Sequence, residues 1–172
     1  MSNEAINAIL ARRSIRRYDN KPVEREKIDG ILECAFAAPS ANNLRPWHFM
    51  EITERNTLDA LAGAHPYGKM LAQAPLAIVV CGEKENEGSP HLWWEQDCAA
   101  AMQNILVAAT AMDLGSVWLG VHHVAVTSGK VRRLLGIPEH IQIMGIAVIG
   151  YEAEQKPAHE GIDQNRVHRE RW

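Results

Sequence analysis

Apolar residues follow two rhythms along this chain. Ile6, Ile9 and Leu10 fall on one face of a helix over residues 4–12, with Asn3 placed to cap it. Over residues 24–38, Ile28, Ile31, Leu32, Ala35 and Phe36 recur at helical spacing, and Pro39 stops the run. Residues 40–45 are polar or small and read as a loop. Residues 47–53 then alternate like a strand. Two short apolar runs, 76–81 closed by Gly82 and 142–149, have the length of buried strands, and 116–119 supplies a further one.

Residues 92–114 form the longest regular stretch and are apolar nearly all round. A helix without a polar face is either the centre of a larger core or half of a subunit interface, and dimerisation is the expectation here. Gly115 is expected to stop this helix. A further helix is expected at 127–135, capped by Thr127 and closed by Gly136. From residue 152 the pattern fails, because only Ile162, Val167 and Trp172 are large and apolar. Such a segment is either a frayed end or an arm laid on a partner subunit with Trp172 as anchor. The expected organisation is one domain over 1–151 and an arm over 152–172 that packs on the partner.

A chain of 172 residues, 47% hydrophobic, can bury one real core. It has no run of about 18 apolar residues, and Met1-Ser2-Asn3-Glu4 lacks the charged-then-apolar layout of a secretory leader. A cytoplasmic protein without a membrane partner is expected. Cys34, Cys81 and Cys98 are odd in number and set in apolar stretches, which fits reduced thiols and no metal site. With 18 Lys+Arg against 21 Asp+Glu, general nucleic-acid binding is disfavoured.

Against that slightly acidic background, Arg12-Arg13-Ser14-Ile15-Arg16-Arg17 is a local excess of positive charge. A guanidinium fork suits phosphate, and Arg12 and Arg16 would share a face if the segment were a helical turn. Arginines closing a helix and complementing its dipole are the alternative. No nucleophile and base pair stands out. His122-His123, as neighbours on a strand, would point to opposite faces and could not easily share one metal. Trp93-Trp94 could wall a pocket or pack on the long helix.

Three runs carry a resemblance: Arg12-Arg13-Ser14-Ile15-Arg16-Arg17-Tyr18, the stretch Ala38-Pro39-Ser40-Ala41-Asn42-Asn43-Leu44-Arg45-Pro46-Trp47-His48-Phe49, and Gly115-Ser116-Val117-Trp118-Leu119-Gly120. Lys69-Met70-Leu71 precedes the 76–81 strand. In this order and spacing they resemble the nitroreductase family of FMN-dependent oxidoreductases. The resemblance implies an α+β, nitroreductase-like fold: a central, mostly antiparallel four-stranded sheet flanked by helices, with a C-terminal arm exchanged across a homodimer and flavin at the interface. It implies that Arg12 binds the FMN phosphate and that Arg13 and Ser14 line the phosphate and ribityl chain. Arg16 and Lys69 would lie near flavin N1 and O2, and the backbone of Leu119 and Gly120 near N5 and O4. Pro39, Ser40 and Asn43 would come from the other subunit, and Arg166 would be a second phosphate arginine.

The implied activity is transfer of hydride from NAD(P)H to nitroaromatics, quinones or enones by a ping-pong mechanism, at flavin N5 and without a catalytic side chain. Two cations near N1 and O2 would favour the reduced ring. Pro66 stands where longer members carry a flavin-contacting asparagine, and the insertion that covers their substrate pocket is absent, which implies an open pocket. Relatives that dehalogenate, oxidise heterocycles or break down flavin supply an alternative, since fold does not fix reaction type. A non-catalytic phosphate or nucleic-acid module built on Arg12 to Arg17 with Arg166, Arg169 and Arg171 is disfavoured, because only Tyr18 and Trp172 are near to stack.

Overall fold

A computed structural model describes residues 3–172; Met1 and Ser2, part of the leader reading, lie outside the described residues. Helix α1 (Glu4–Ala11) is capped as expected, the Asn3 side chain accepting from the amides of Ala5 and Ile6. It buries only Ala8 and leaves Ile6, Ile9 and Leu10 about half exposed, at 54%, 54% and 47%. Helix α2 (Arg25–Phe36) turns Ile28, Ile31 and Ala35 inward. Strands β1 (Trp47–Ile52), β2 (Leu76–Glu83), β5 (Gly115–Gly120) and β6 (Ile141–Gly150) form one sheet in the order β1-β2-β6-β5, every neighbouring pair antiparallel. A two-residue hairpin, β3 (Glu85–Asn86) with β4 (Ser89–Pro90), projects beyond β2.

Helices cover both faces. Leu76, Ile78 and Val80 of β2 point into a core shared with α2 and α4 (Trp94–Ala111). Ala77, Val79 and Cys81 point into a second core with α3 (Arg55–Ala64) and α5 (Ala125–Leu135). The strand is therefore apolar at successive positions rather than alternately. Burial pushes the Cys81 and Cys98 thiols up to about 12, which keeps them protonated and inert.

Within the single chain the sheet already covers much of α4. Met102 and Ile105 are fully buried within the single chain, each worth about 1.5–3 kcal/mol, because α4 lies across the sheet. Towards its C-terminal end one side of α4 borders an open groove of about 640 Å³, where Val107, Ala108 and Ala111 meet Ala5, Ala8 and Ala11 of α1.

Two local expectations are corrected. Gly115 does not stop α4: the left-handed turn falls at Asp113 (φ 60°), and Gly115 opens β5, where a Cβ would stand 2.9 Å from Ile15 and 2.7 Å from Glu152. Thr127 does not cap α5, which starts at Ala125; the threonine is buried inside the helix. Gly136 closes α5 in the left-handed conformation, as expected (φ 66°). Helix α3, for which no element is predicted, offers only Leu58 and Leu61 as large apolar residues. Arg55 fixes its start by donating to the carbonyls of Ala74 and Leu71, and by pairing with Asp59 at 3.0 Å.

Candidate functional site

Residues 12–17 do not continue α1. They run extended beside β5, the Ile15 amide donating to the Ser116 carbonyl at 3.0 Å, so Arg12 and Arg16 are not successive turns of a helix. Ile15 is buried, and backbone alternation puts Ser14 and Arg16 on the opposite side. The Tyr18 hydroxyl anchors the end of the strip, 2.6 Å from the Ile15 carbonyl and 3.0 Å from that of Val148; its burial raises the phenol's pKa.

The arginines divide by task. Arg13 donates to the carbonyls of Leu10 and Arg12 at 2.7 Å each and to Pro157 at 2.6 Å, so it closes α1 and ties down the start of the tail. The dipole alternative thus describes Arg13. Arg12 is half-buried, and its guanidinium has no hydrogen-bonding or ionic partner among the described residues. Arg16 donates through its amide to Glu154 at 2.5 Å, while its guanidinium reaches only the Ser14 carbonyl at 3.3 Å. Lys156 and the Arg16 amide hold the Glu154 carboxyl below the usual range, whereas burial and then Glu154 raise that of Glu152. A strip of cations therefore faces outward with little internal neutralisation.

A second group lies at the far end of β5. Lys69 opens a single 3-10 turn, Lys69–Ala72, and its side chain is exposed. Buried His65 joins that turn to the strand end: Nδ1 accepts the Tyr67 amide at 3.1 Å, and Nε2 stands 2.9 Å from the Gly120 carbonyl. Nothing lies within 4 Å of where a Gly120 Cβ would be, so the chain is open there. From Ser116, beside Ser14, to Gly120 the strand covers about 13 Å, so the first cation group and the Lys69 group mark its two ends.

Pro39, Ser40 and Asn43 form a third group. Asn42, Asn43 and Arg45 all have positive φ (51°, 57° and 49°), a strained run for non-glycine residues. Ser40 Oγ accepts the Arg45 amide and Asn43 Oδ1 accepts Arg45 Nε, each at 2.9 Å. The buried Asp97 pins the loop to α4, one oxygen accepting the Ala41 amide at 2.9 Å and the other 2.8 Å from His91 Nε2. Asp97 begins α4, whereas Ala11 meets Thr110 near its end. Thirteen residues of helix separate the two, about 20 Å, so the Asp97 anchor of the third group and the Ala11 contact lie at opposite ends of α4.

The remaining candidates are scattered. Arg166 sits in an exposed turn of the tail, paired with Asp163 at 3.2 Å. The tryptophan pair splits: Trp94 is buried against Gly82, and Trp93 is exposed beside Asn42, Leu44 and Leu92 in a recess of about 210 Å³. His122 and His123 do not occupy a strand. They lie in a turn beyond β5 with His123 at φ 67°, and both rings approach Glu95. His65 and Asp97 carry no signal in the sequence because they act on Gly120 and Ala41, each more than fifty residues away, and His91 acts through Asp97. Among the described residues, no helix is long and apolar enough to cross a membrane.

Comparison with known proteins agrees in sequence and fold. The profile of the Nitroreductase family matches residues 9–65 and 62–151. A protein of Methanothermobacter thermautotrophicus with the provisional name NADH dehydrogenase/NAD(P)H nitroreductase is 42% identical over 98% of this chain and 88% of its own length. A crystal structure from Bacteroides thetaiotaomicron under the same provisional name superposes with a TM-score of 0.94 at 38% identity, over the whole of both chains. An FMN-dependent nitroreductase from Clostridium difficile superposes with a TM-score of 0.89 at 33% identity, over 97% of this chain and 99% of that one.

Proposed function

The chain belongs to the nitroreductase family, and from that premise we propose that it is an FMN-dependent oxidoreductase that uses NAD(P)H to reduce electron-poor acceptors such as nitroaromatics, quinones and enones. The observation that carries this is the half-buried Arg12 without an internal counter-charge, on a strip of cations at the Ser116 end of β5, with an open Gly120 at the other end of the strand, about 13 Å away. These residues fit a phosphorylated, extended cofactor with a polar ring at one end. Bound FMN would supply hydride acceptance and donation, taking hydride from the nicotinamide and passing it to the acceptor in alternation.

Within that reading, Arg12 holds the phosphate, with Ser14 and Arg13 lining the phosphate and ribityl chain and Arg166 assisting from the tail. Arg16 and Lys69 place positive charge where negative charge grows on reduction, which favours the reduced state. Leu119 and Gly120 present backbone at the ring, held by His65. Pro39, Ser40 and Asn43 serve the site of a second copy. The groove between α1 and α4 and the half-exposed Ile6, Ile9 and Leu10 are the apolar surface such a homodimer would cover, and residues 152–172 would reach across it.

Supplying FMN to the purified protein and passing it through a sizing column tests this. Flavin absorbance should travel with a particle of twice the chain mass, and turnover with a quinone or nitrofuran acceptor should consume NAD(P)H. A colourless peak at the mass of one chain would overturn the proposal.

A further inference from the structure

Beyond that activity, we infer that Glu95, His122 and His123 form a binding site for one divalent transition-metal ion of the Zn²⁺ class. The Nε2 atoms of His122 and His123 stand 3.1 and 3.3 Å from the two different oxygens of Glu95, and one ligand atom from each residue lies within 4.8 Å of the others. Ligands about 2.0 Å from a tetrahedral ion are about 3.3 Å apart, so the ion fits between these atoms with small side-chain adjustments. Two imidazoles and a carboxylate are a ligand set that suits Zn²⁺, with the remaining vertex left for water. That vertex faces solvent, since the His123 side chain is 76% exposed.

The backbone is shaped to make the rings converge. Adjacent residues on a strand would diverge, but β5 ends at Gly120, and positive φ at His123 folds the next residues into a turn. The register between β2 and β6 slips by one residue at Met144. The Met144 carbonyl accepts the amides of both Val121 and His122, at 3.3 and 3.2 Å, which fixes the start of the turn. The buried Trp94 packs edge-on against the His122 ring, with centroids 4.7 Å apart and planes at 86°, and limits its rotation. Trp94 is also the neighbour of Glu95 on the first turn of α4, so one rigid helix start carries both the carboxylate and the brace. An ion bound here would link the segment after Gly120 to α4.

The test uses the full chain with FMN supplied, stripped of metal by a chelator and then titrated with Co²⁺ alone. One equivalent per chain should produce the visible absorption of four-coordinate cobalt, and Zn²⁺ should displace it. His123→Ala and Glu95→Gln, both surface changes that leave flavin content and circular dichroism unaltered, should each weaken binding about 100-fold or more. His159→Ala and His168→Ala, in the tail, should bind like the parent. Absence of a saturable cobalt signal, or a signal that survives His123→Ala and Glu95→Gln unchanged, would overturn the site.

Discussion

His65 and Gly120, 55 residues apart, are joined by a hydrogen bond of 2.9 Å. Because Nδ1 of the same ring accepts the Tyr67 amide, its proton sits on Nε2 and is donated to the Gly120 carbonyl. The tautomer is set by the backbone, and the backbone of Gly120 is in turn set by the ring. This couples the Lys69 turn to the strand end that the proposed flavin site uses.

Replacing His65 with alanine removes that link and leaves a void beside a buried turn. His65→Ala should destabilise the protein by about 1–3 kcal/mol in urea unfolding and weaken FMN binding. Unfolding and flavin affinity equal to the parent would show that the bond does not hold the Lys69 turn to β5.

Arg12→Ala should raise the FMN dissociation constant by roughly ten- to a hundredfold, corresponding to about 1.5–3 kcal/mol for a charge-assisted hydrogen bond. Flavin fluorescence quenching measures it directly. Unchanged affinity would remove Arg12 from the phosphate position. Arg13→Ala should instead act first on stability, because its guanidinium is spent on the carbonyls of Leu10, Arg12 and Pro157.

Asp97→Ala leaves the Ala41 amide and His91 without their common acceptor, and the strained run at Asn42, Asn43 and Arg45 without its anchor. A loss of about 1–3 kcal/mol in unfolding free energy is expected, together with faster proteolysis confined to residues 39–45. Parent-like proteolysis would mean that Ser40 and Arg45 hold the loop unaided.

Glu24 accepts the Tyr151 hydroxyl at 2.6 Å and pairs with Lys21 at 3.1 Å, interactions that lower its carboxyl from an ordinary 4.5 to about 2. A carboxyl depressed on folding adds stability that is complete above its ordinary value and is lost as pH falls towards the folded one. Glu24→Gln should therefore be less stable than the parent at neutral pH, with the gap closing between about pH 4.5 and 2. A gap that stays constant over that range in thermal scans would contradict the pairing.

Much of this architecture is visible in the order of residues, and the exceptions have physical causes. Helix α2 and strand β2 are legible because Ile28, Ile31 and Ala35, or Leu76 through Cys81, declare burial by their own spacing. Helix α3 is not, since two leucines and an arginine held by the carbonyls of Leu71 and Ala74 do that work. Gly115 mimics a helix stop while serving the close approach of Ile15, a contact 100 residues away in sequence. The resemblance names Arg12, Ser40, Lys69 and Gly120, but His65, which holds the Gly120 end, and Asp97 with His91, which hold the loop at Ala41, carry no local signature. The turn at His123 reverses the inference from strand alternation, because where β5 ends depends on its pairing with β6.

Anaerobic titration of the FMN-loaded protein with NADH and then NADPH, followed at the flavin absorption band, tests the proposed activity most directly. Full bleaching by one equivalent of at least one nicotinamide per bound flavin, and recovery of the band on adding a quinone, is the predicted result. A band that neither nicotinamide bleaches, in protein that holds flavin stoichiometrically, would contradict it.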